Sequence, residues 1–525
     1  MGELLAVGGA LAAATALAGL EHLRRPLRTG QTGDLRLHTV APDVYLWRGY
    51  FSNAAVLALP GQLVVVDTLA SPQLAARMRR DLQTQLARPV GCAVLTHFHG
   101  DHVGGTSQFA DVPRYASAPT ATAMATRDGE RAAYARNFGL IVHELPPVLP
   151  PTVTFSGDAF DLDVGGEKLQ LLHLGAAETD DAVVVWWPQR RVLACGDSLA
   201  TAGFPFSGAP ICDEGLRADG HWLACLQRLR DLEPEVVLPG HGPPLVGRQT
   251  IRDRIDRVAD VFASVISVVR EEMARGDAVD AVDAVVQRSL ARLARFHKQA
   301  DLPQNAISMR MTVLRAFHAL SPQRHGHGWW HDLGPRCLAA PLPEQALELL
   351  AQLSPGPAVR AEARRLADRR QYGRVRDLLW AAAARDPQQA HDYLGDCAWW
   401  MVAAARRAPV AYEGADGLVE AGKAATRALE LDTHAATAAL ALGTLEVLSA
   451  IMLGQPMDRG QQLLASALAS GKLEPSQAQA ASFFLGKAHQ FEEREGEADR
   501  WLRAAMPGWS RVLYPLFREK LRAIP

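Results

Sequence analysis

The sequence predicts an α/β protein in which two β-sheets pack face to face with helices outside, an αββα sandwich, followed by an all-α, repeat-like C-terminal region. Three observations point there. Two series of short apolar runs, separated by glycines, prolines and a stretch at helical spacing, fill residues 35–247. After Arg248 the strand signals stop, and Ala, Leu, Arg and Glu recur at helical spacing. The loops that end several of the apolar runs carry His, Asp and Glu, where a rigid sheet can gather side chains from distant parts of the chain.

The first strand series comprises residues 44–47, 54–59, 63–67 and 92–95, with a helix expected over 72–86. The second comprises 169–173, 182–187, 191–194 and 236–238. Two such runs with interposed helices give a sheet-on-sheet core. Beyond 250, prolines from Pro303 to Pro507 punctuate the helices. Residues 421–432 with 433–453, and 478–490 with 496–506, read as helix pairs resembling helical-repeat hairpins, without a clean period. This divides the chain into a possible N-terminal anchor (1–30), a sandwich (35–248), a helical domain (250–410) and a repeat-like region (411–525).

At 525 residues the chain exceeds one ordinary core. A net charge of -2 and a pI near 6.8 give no reason to expect nucleic acid as a partner. The composition, 48% hydrophobic and 21% charged, is that of a folded rather than a disordered chain. The six cysteines are scattered without a CxxC pair, which argues against a disulfide framework. Residues 4–20 form an apolar run, marginal against the ~20 residues that span a bilayer. Glu3 is the one charged side chain before the run and arginines follow it, unlike a secretory signal. An anchor that keeps the body in the cytoplasm and a soluble Ala-rich helix both fit this pattern.

The most informative segment is Thr96-His97-Phe98-His99-Gly100-Asp101-His102, directly after an apolar strand. His97 and His99 alternate by two, so they can point the same way and hold one ion. Asp101 and His102 follow a glycine, where the chain can bend to offer them to a second. Imidazole suits zinc, and a carboxylate beside it is common where a metal also carries a reactive water. Three further loops end strands: Gly175 to Asp181, Cys195-Gly196-Asp197 and Pro239-Gly240-His241-Gly242-Pro243.

Together these motifs resemble the metallo-β-lactamase superfamily over roughly residues 35–247. Its HxHxDH signature stands as His97, His99, Asp101 and His102. Its bridging aspartate corresponds to Asp197 and its last ligand histidine to His241. Asp67, ending a strand, is similar to the family's early aspartate, which steers a ligand histidine. The resemblance implies a metal-dependent hydrolase of an ester-type small molecule. It would carry two zinc ions per chain, roughly 3.5 Å apart, which share a hydroxide that Asp101 orients.

One position departs from the family's usual Gly-Pro-Ala-His-Thr, because Glu178 stands where histidine is expected. Glu178 is either an oxygen ligand of the first metal, or a non-ligand that leaves the first site weakened or taken over by His173; the unchanged register around Thr179 favours the former. As a ligand it makes three anionic groups, with Asp101 and Asp197, against the four charges of two divalent ions. A bound hydroxide then neutralises the site, and the water's pKa should lie higher than beside a histidine. Such an oxygen-rich first site suits manganese or iron as well as zinc.

Gly328-Trp329-Trp330, residues 342–350, Tyr372-Gly373-Arg374-Val375 and Asp386-Pro387 follow the order seen in the dimerisation domain of alkylsulfatases. Those enzymes also carry Glu before Thr at the variant position. This resemblance implies a homodimer and makes alkyl sulfates one candidate substrate. Against it, Cys195-Gly196-Asp197 differs from the Ala-Glu-Asn those enzymes resemble, and Phe204, Pro205, Phe206 and Trp222 suggest an apolar wall instead. Carboxylic esters, thioesters and lactams are the broader alternative. A further reading, of another class, is an inactive scaffold that binds partners through its helical C-terminus. His325, His327 and His331 read as a surface loop, since no acid or cysteine completes a ligand set.

Overall fold

A computed structural model of the chain describes residues 35–275 apart from 50–51, 138–139, 200 and 202–220, short pieces between 285 and 320, and then 344–407 and 415–506. The N-terminal apolar run, Phe204 to Phe206, the His325 patch and Gly328 to Trp330 lie outside the described residues.

Each strand series forms one sheet. The first is seven-stranded, in the order β1 (Arg36–Ala41), β2 (Val44–Arg48), β3 (Asn53–Leu59), β4 (Gln62–Val66), β5 (Val90–Val94), β6 (Arg114–Ser117) and β7 (Val153–Phe155). β1 to β4 run as an antiparallel meander, and β4 to β7 pair in parallel. The second is six-stranded: β8 (Ala159–Val164), β9 (Glu167–Leu172), β10 (Val184–Trp187), β11 (Val192–Gly196), β12 (Val236–Pro239) and β13 (Leu245–Val246). All its pairs are antiparallel except β11 with β12.

Side-chain alternation builds four layers. On β3 and β4, Ala55, Leu57, Val64 and Val66 face the second sheet and meet Leu169, Leu171, Val185 and Leu238 in a buried core. The intervening Ala54, Val56, Leu63 and Val65 face outward onto Leu74, Met78 and Leu82 of helix α1 (Pro72–Leu86). That helix starts where expected because Ser71 accepts a hydrogen bond from the Leu74 amide and Pro72 opens the first turn. The second sheet's outer face, with Trp186, Leu193 and Val237, is covered in the same way by two later helices (His221–Asp231 and Arg248–Ala274). The second of these packs Ile251, Ile255 and Phe262 into that layer, so by its packing it is part of the sandwich, although a boundary at 248 would separate it. Trp222, expected in an apolar wall, instead lies buried in this layer with its ring 4.2 Å from Phe262.

Three short helices lie between β5 and β7: α2 (Gly100–Val103), α3 (Ala118–Thr126) and α4 (Asp128–Asn137). The two helices just described are α5 and α6. Every element from 344 onward is helical: α7 (Glu344–Ala351), α8 (Pro357–Asp368), α9 (Tyr372–Arg385), α10 (Ala390–Arg407), α11 (Ala415–Leu431), α12 (Ala436–Leu453), α13 (Asp458–Ala469), α14 (Pro475–Phe491) and α15 (Glu495–Ala504). α11 packs on α12 and α14 on α15, but α11 packs far more extensively on α10 than on α12. One apolar core runs from Leu350 to Leu445, across the expected break at 410. Among the described residues α12 alone is long and apolar enough to cross a membrane, and 78% of it is buried against its neighbours. Its C-terminal end reaches the sandwich and packs on α2.

Candidate metal centre

The ligand-type residues converge at one edge of the sandwich, where β4, β5, β9, β11 and β12 end. Their donor atoms form two groups: His97, His99, Glu178 and Asp197, and then Asp101, His102 and His241. In the first, Glu178 Oε2 lies 3.2 Å from His99 Nδ1 and 3.7 Å from His97 Nε2. In the second, Asp101 Oδ2 lies 3.3 Å from His102 Nε2 and 3.1 Å from His241 Nε2. Asp197 spans the two. Its Oδ2 is 3.8 Å from His97 Nε2 and 3.1 Å from His241 Nε2, and its Oδ1 is 3.3 Å from His102 Nε2. All seven sequence-predicted site residues are therefore brought together, and Glu178 takes the place where histidine was expected. His173 is not among them; its Nε2 faces the Asp180 carbonyl at 3.1 Å.

These spacings suit a metal. Donors about 2.0–2.2 Å from a tetrahedral ion lie roughly 3.3–3.6 Å from one another. His97 Nε2, His102 Nε2, both Asp101 carboxylate oxygens and Asp197 Oδ1 are buried without a hydrogen-bond partner of good geometry. Buried polar atoms are rarely left so, and the chemistry that satisfies imidazole nitrogen and carboxylate oxygen together is a divalent cation.

Neighbouring residues fix the donors. Asp67 accepts a hydrogen bond from His102 Nδ1 at 2.8 Å, which turns the Nε2 lone pair toward the site. The same carboxylate accepts from the Thr96 amide and hydroxyl, and the Thr96 oxygen in turn lies 3.0 Å from His97 Nδ1. Asp67 therefore orients His102 directly and His97 through Thr96. Asp181 accepts from the Phe98 amide, tying the Glu178 loop to the histidine loop. Sequence reasoning missed Asn53, whose side-chain amide donates to the Pro239 and Gly242 carbonyls and holds the His241 loop. A lone Asn opening an otherwise apolar strand is the signal that could have found it. Gly240 has no room for a side chain: a Cβ there would lie 2.2 Å from Asp197 Oδ1.

Electrostatics favour a cation. Burial pushes the carboxyls of Asp101 and Asp197 up, but the imidazoles of His102 and His241 outweigh it and hold both below the usual carboxylate range. Glu178 is likewise lowered, against burial, by His99. Burial pushes His241 down, but Asp197 and Asp101 carry it up to about 10. His97 moves the other way, lowered by burial and by the His102 and His99 rings. Without a metal, His99, His102 and His241 are shifted toward their charged forms by the same three carboxylates that they hold ionised.

The comparisons with known proteins agree with this geometry. The family profile "Metallo-beta-lactamase superfamily" matches residues 47–241. A linear primary-alkylsulfatase of Pseudomonas sp. is 25% identical over 238 residues, covering 40% of this chain and 44% of that protein. The alpha subunit of a 2,4-dinitroanisole O-demethylase of Nocardioides sp. is 29% identical over 198 residues, covering 37% and 53%. The chain thus spans about half the length of these curated relatives. The solved structure of the stereoselective inverting sec-alkylsulfatase Pisa1 from Pseudomonas sp. superposes with a TM-score of 0.50 at 15% identity, over 89% of this chain and 82% of that one. That likeness is one of fold, and it extends through the helical half. Residues 47–241 of this chain are a metallo-beta-lactamase superfamily domain, followed by helices that share the overall fold of an alkylsulfatase.

Proposed function

We propose that this protein is a metal-dependent hydrolase with two zinc ions per chain, acting on an ester-type bond. The observation that carries the reading is the pair of buried ligand groups joined by Asp197. His97, His99 and Glu178 would hold one ion, Asp101, His102 and His241 the other, and Asp197 would face both. When bound, the ions supply Lewis acidity and a water acidified enough to attack near neutral pH. The residues of the chain do the rest. Asp101 turns Oδ2 toward His102 and His241, and its Oδ1 would orient the attacking water and take its proton. Asp67 holds His102 in one tautomer, and Asn53 keeps His241 in place.

Similarity to a linear primary-alkylsulfatase, and a glutamate at the variant position, support alkyl sulfates as the specific substrate. The test is turnover by zinc-loaded and chelator-treated protein across dodecyl sulfate, a carboxylic ester, a thioester and a β-lactam. Metal-dependent turnover of one class supports the reading, and equal turnover in metal-free protein sinks it. An inactive scaffold would turn over none of them and need not retain two ions. The same reading extends to a homodimer through the helices and to membrane association through residues 4–20, in the cytoplasm. Sedimentation and a carbonate wash of membranes test these; a monomer, or complete release of intact protein, counts against each.

A further inference from the structure

Beside the candidate metal centre lies a cavity that the ligand set does not explain. It is bounded by Gly100 and Asp101 on one side and by Ala135, Leu140, Leu145 and Pro146 on another, with Met452 and Leu453 of α12 closing it. The sandwich and the helical half therefore build it together.

Two features make it a site rather than a packing gap. The first is Arg131 of α4, which also lines it. Its side chain is 4% exposed, yet its one carboxylate partner, Asp128, is 78% exposed and lies 2.7 Å from a terminal guanidinium nitrogen. The Pro146 carbonyl lies 3.5 Å from the other, and Nε has no partner at all. That Nε stands 3.6 Å from where a Cβ on Gly100 would be, the residue next to Asp101. A buried guanidinium with an unmet donor among apolar walls is costly unless an anion completes it.

The second is how the apolar wall is held. Residues 140–146 are strapped to the helical half by its side chains. Ser449 Oγ accepts from the Ile141 amide, Gln455 bonds both the Ile141 carbonyl and the His143 amide, and Glu446 Oε2 lies 2.7 Å from His143 Nε2. Glu446 and Gln455 are both 5% exposed. These part-buried bonds, anchored on two buried side chains, fix one wall geometry.

We infer that Arg131 is the anion anchor of a substrate pocket built jointly by the sandwich and α12, which takes an organic anion with an apolar tail. The assignment of this ligand as substrate rests on the hydrolase reading above; the binding does not. The charge is held by the guanidinium, and the tail lies along Leu140, Leu145, Met452 and Leu453. Carboxylate and sulfate-type heads share this chemistry.

Calorimetric titration of the full-length, zinc-loaded protein with octanoate, octane-1-sulfonate and octan-1-ol tests it. The anions should bind more tightly than the alcohol. Arg131→Gln should weaken the anions by roughly tenfold or more, with the alcohol and the zinc content unchanged. Met452→Ser should weaken all three. A stronger loss for one anion identifies the head group. Unchanged anion binding in Arg131→Gln overturns the proposal. If that variant does not fold, parity between octanoate and octan-1-ol in the wild type overturns it instead. Arg131-dependent binding without turnover of any substrate would defeat the hydrolase reading and leave the pocket; metal-dependent turnover with Arg131-independent binding would do the reverse.

Discussion

His102 Nδ1 donates to Asp67 Oδ2 across 2.8 Å, and through Thr96 the same carboxylate also fixes His97. One buried acid outside the ligand set thus orients a histidine in each of the two groups. Asp67→Asn keeps the shape but puts an amide where the His102 imidazole and the Thr96 hydroxyl, which in turn meets His97, need an acceptor. Zinc affinity, measured by competition with a chromophoric chelator, should fall by about 10–100-fold. An unchanged affinity would mean that the tautomers are set elsewhere.

Gly240 tests how tightly the site is packed. Its missing Cβ would fall 2.2 Å from Asp197 Oδ1 and 2.7 Å from His102 Cε1. Gly240→Ala should lose zinc and activity, whereas Gly129→Ala, with nothing within 4 Å, should change neither. Equal metal content in both variants would contradict the crowding.

The charge pattern sets a pH dependence whose sign changes with metal. In metal-free protein His241 is raised to about 10 from an ordinary 6.5. Its contribution is therefore complete below the ordinary value and lost as pH rises toward 10. Asp101 and Asp197 are lowered, so theirs is present above the ordinary carboxylate range and lost on acidification. Metal-free protein should thus lose melting temperature between neutral pH and pH 10. Zinc-loaded protein should hold its melting temperature there and lose it in acid, as protons displace the ion. A metal-free melting temperature that rises toward pH 10 would refute the assignment.

Glu178→His replaces an anion among the donors by a neutral ring. The zinc-loaded variant should ionise its attacking water more readily, moving the acidic limb of the rate profile to lower pH. An unmoved limb would count against the charge argument.

The sequence made the buried strands legible because both of their faces are apolar, as on β3, β4, β11 and β12. β6 was hidden, since Arg114 opens it and turns its guanidinium to the Phe109 and Pro150 carbonyls. β8 was missed although it alternates Ala-Phe-Asp-Leu-Asp-Val with only Leu162 and Val164 buried. Of the site, the seven donor residues were readable because their motifs are local. The Asn53 clamp bridges 186 and 189 residues of sequence, and the strap between Ile141 and Ser449 bridges 308. No local pattern encodes partners so distant. The same holds for Arg131, whose significance appears only once Met452 and Leu453 close the cavity around it.

The proposed two-ion centre comprises His97, His99, Glu178, Asp101, His102, His241 and the shared Asp197. Elemental analysis of protein reconstituted with zinc and then desalted tests it most directly. Two zinc ions should be retained per chain, and protein that retains none would contradict the two-ion centre.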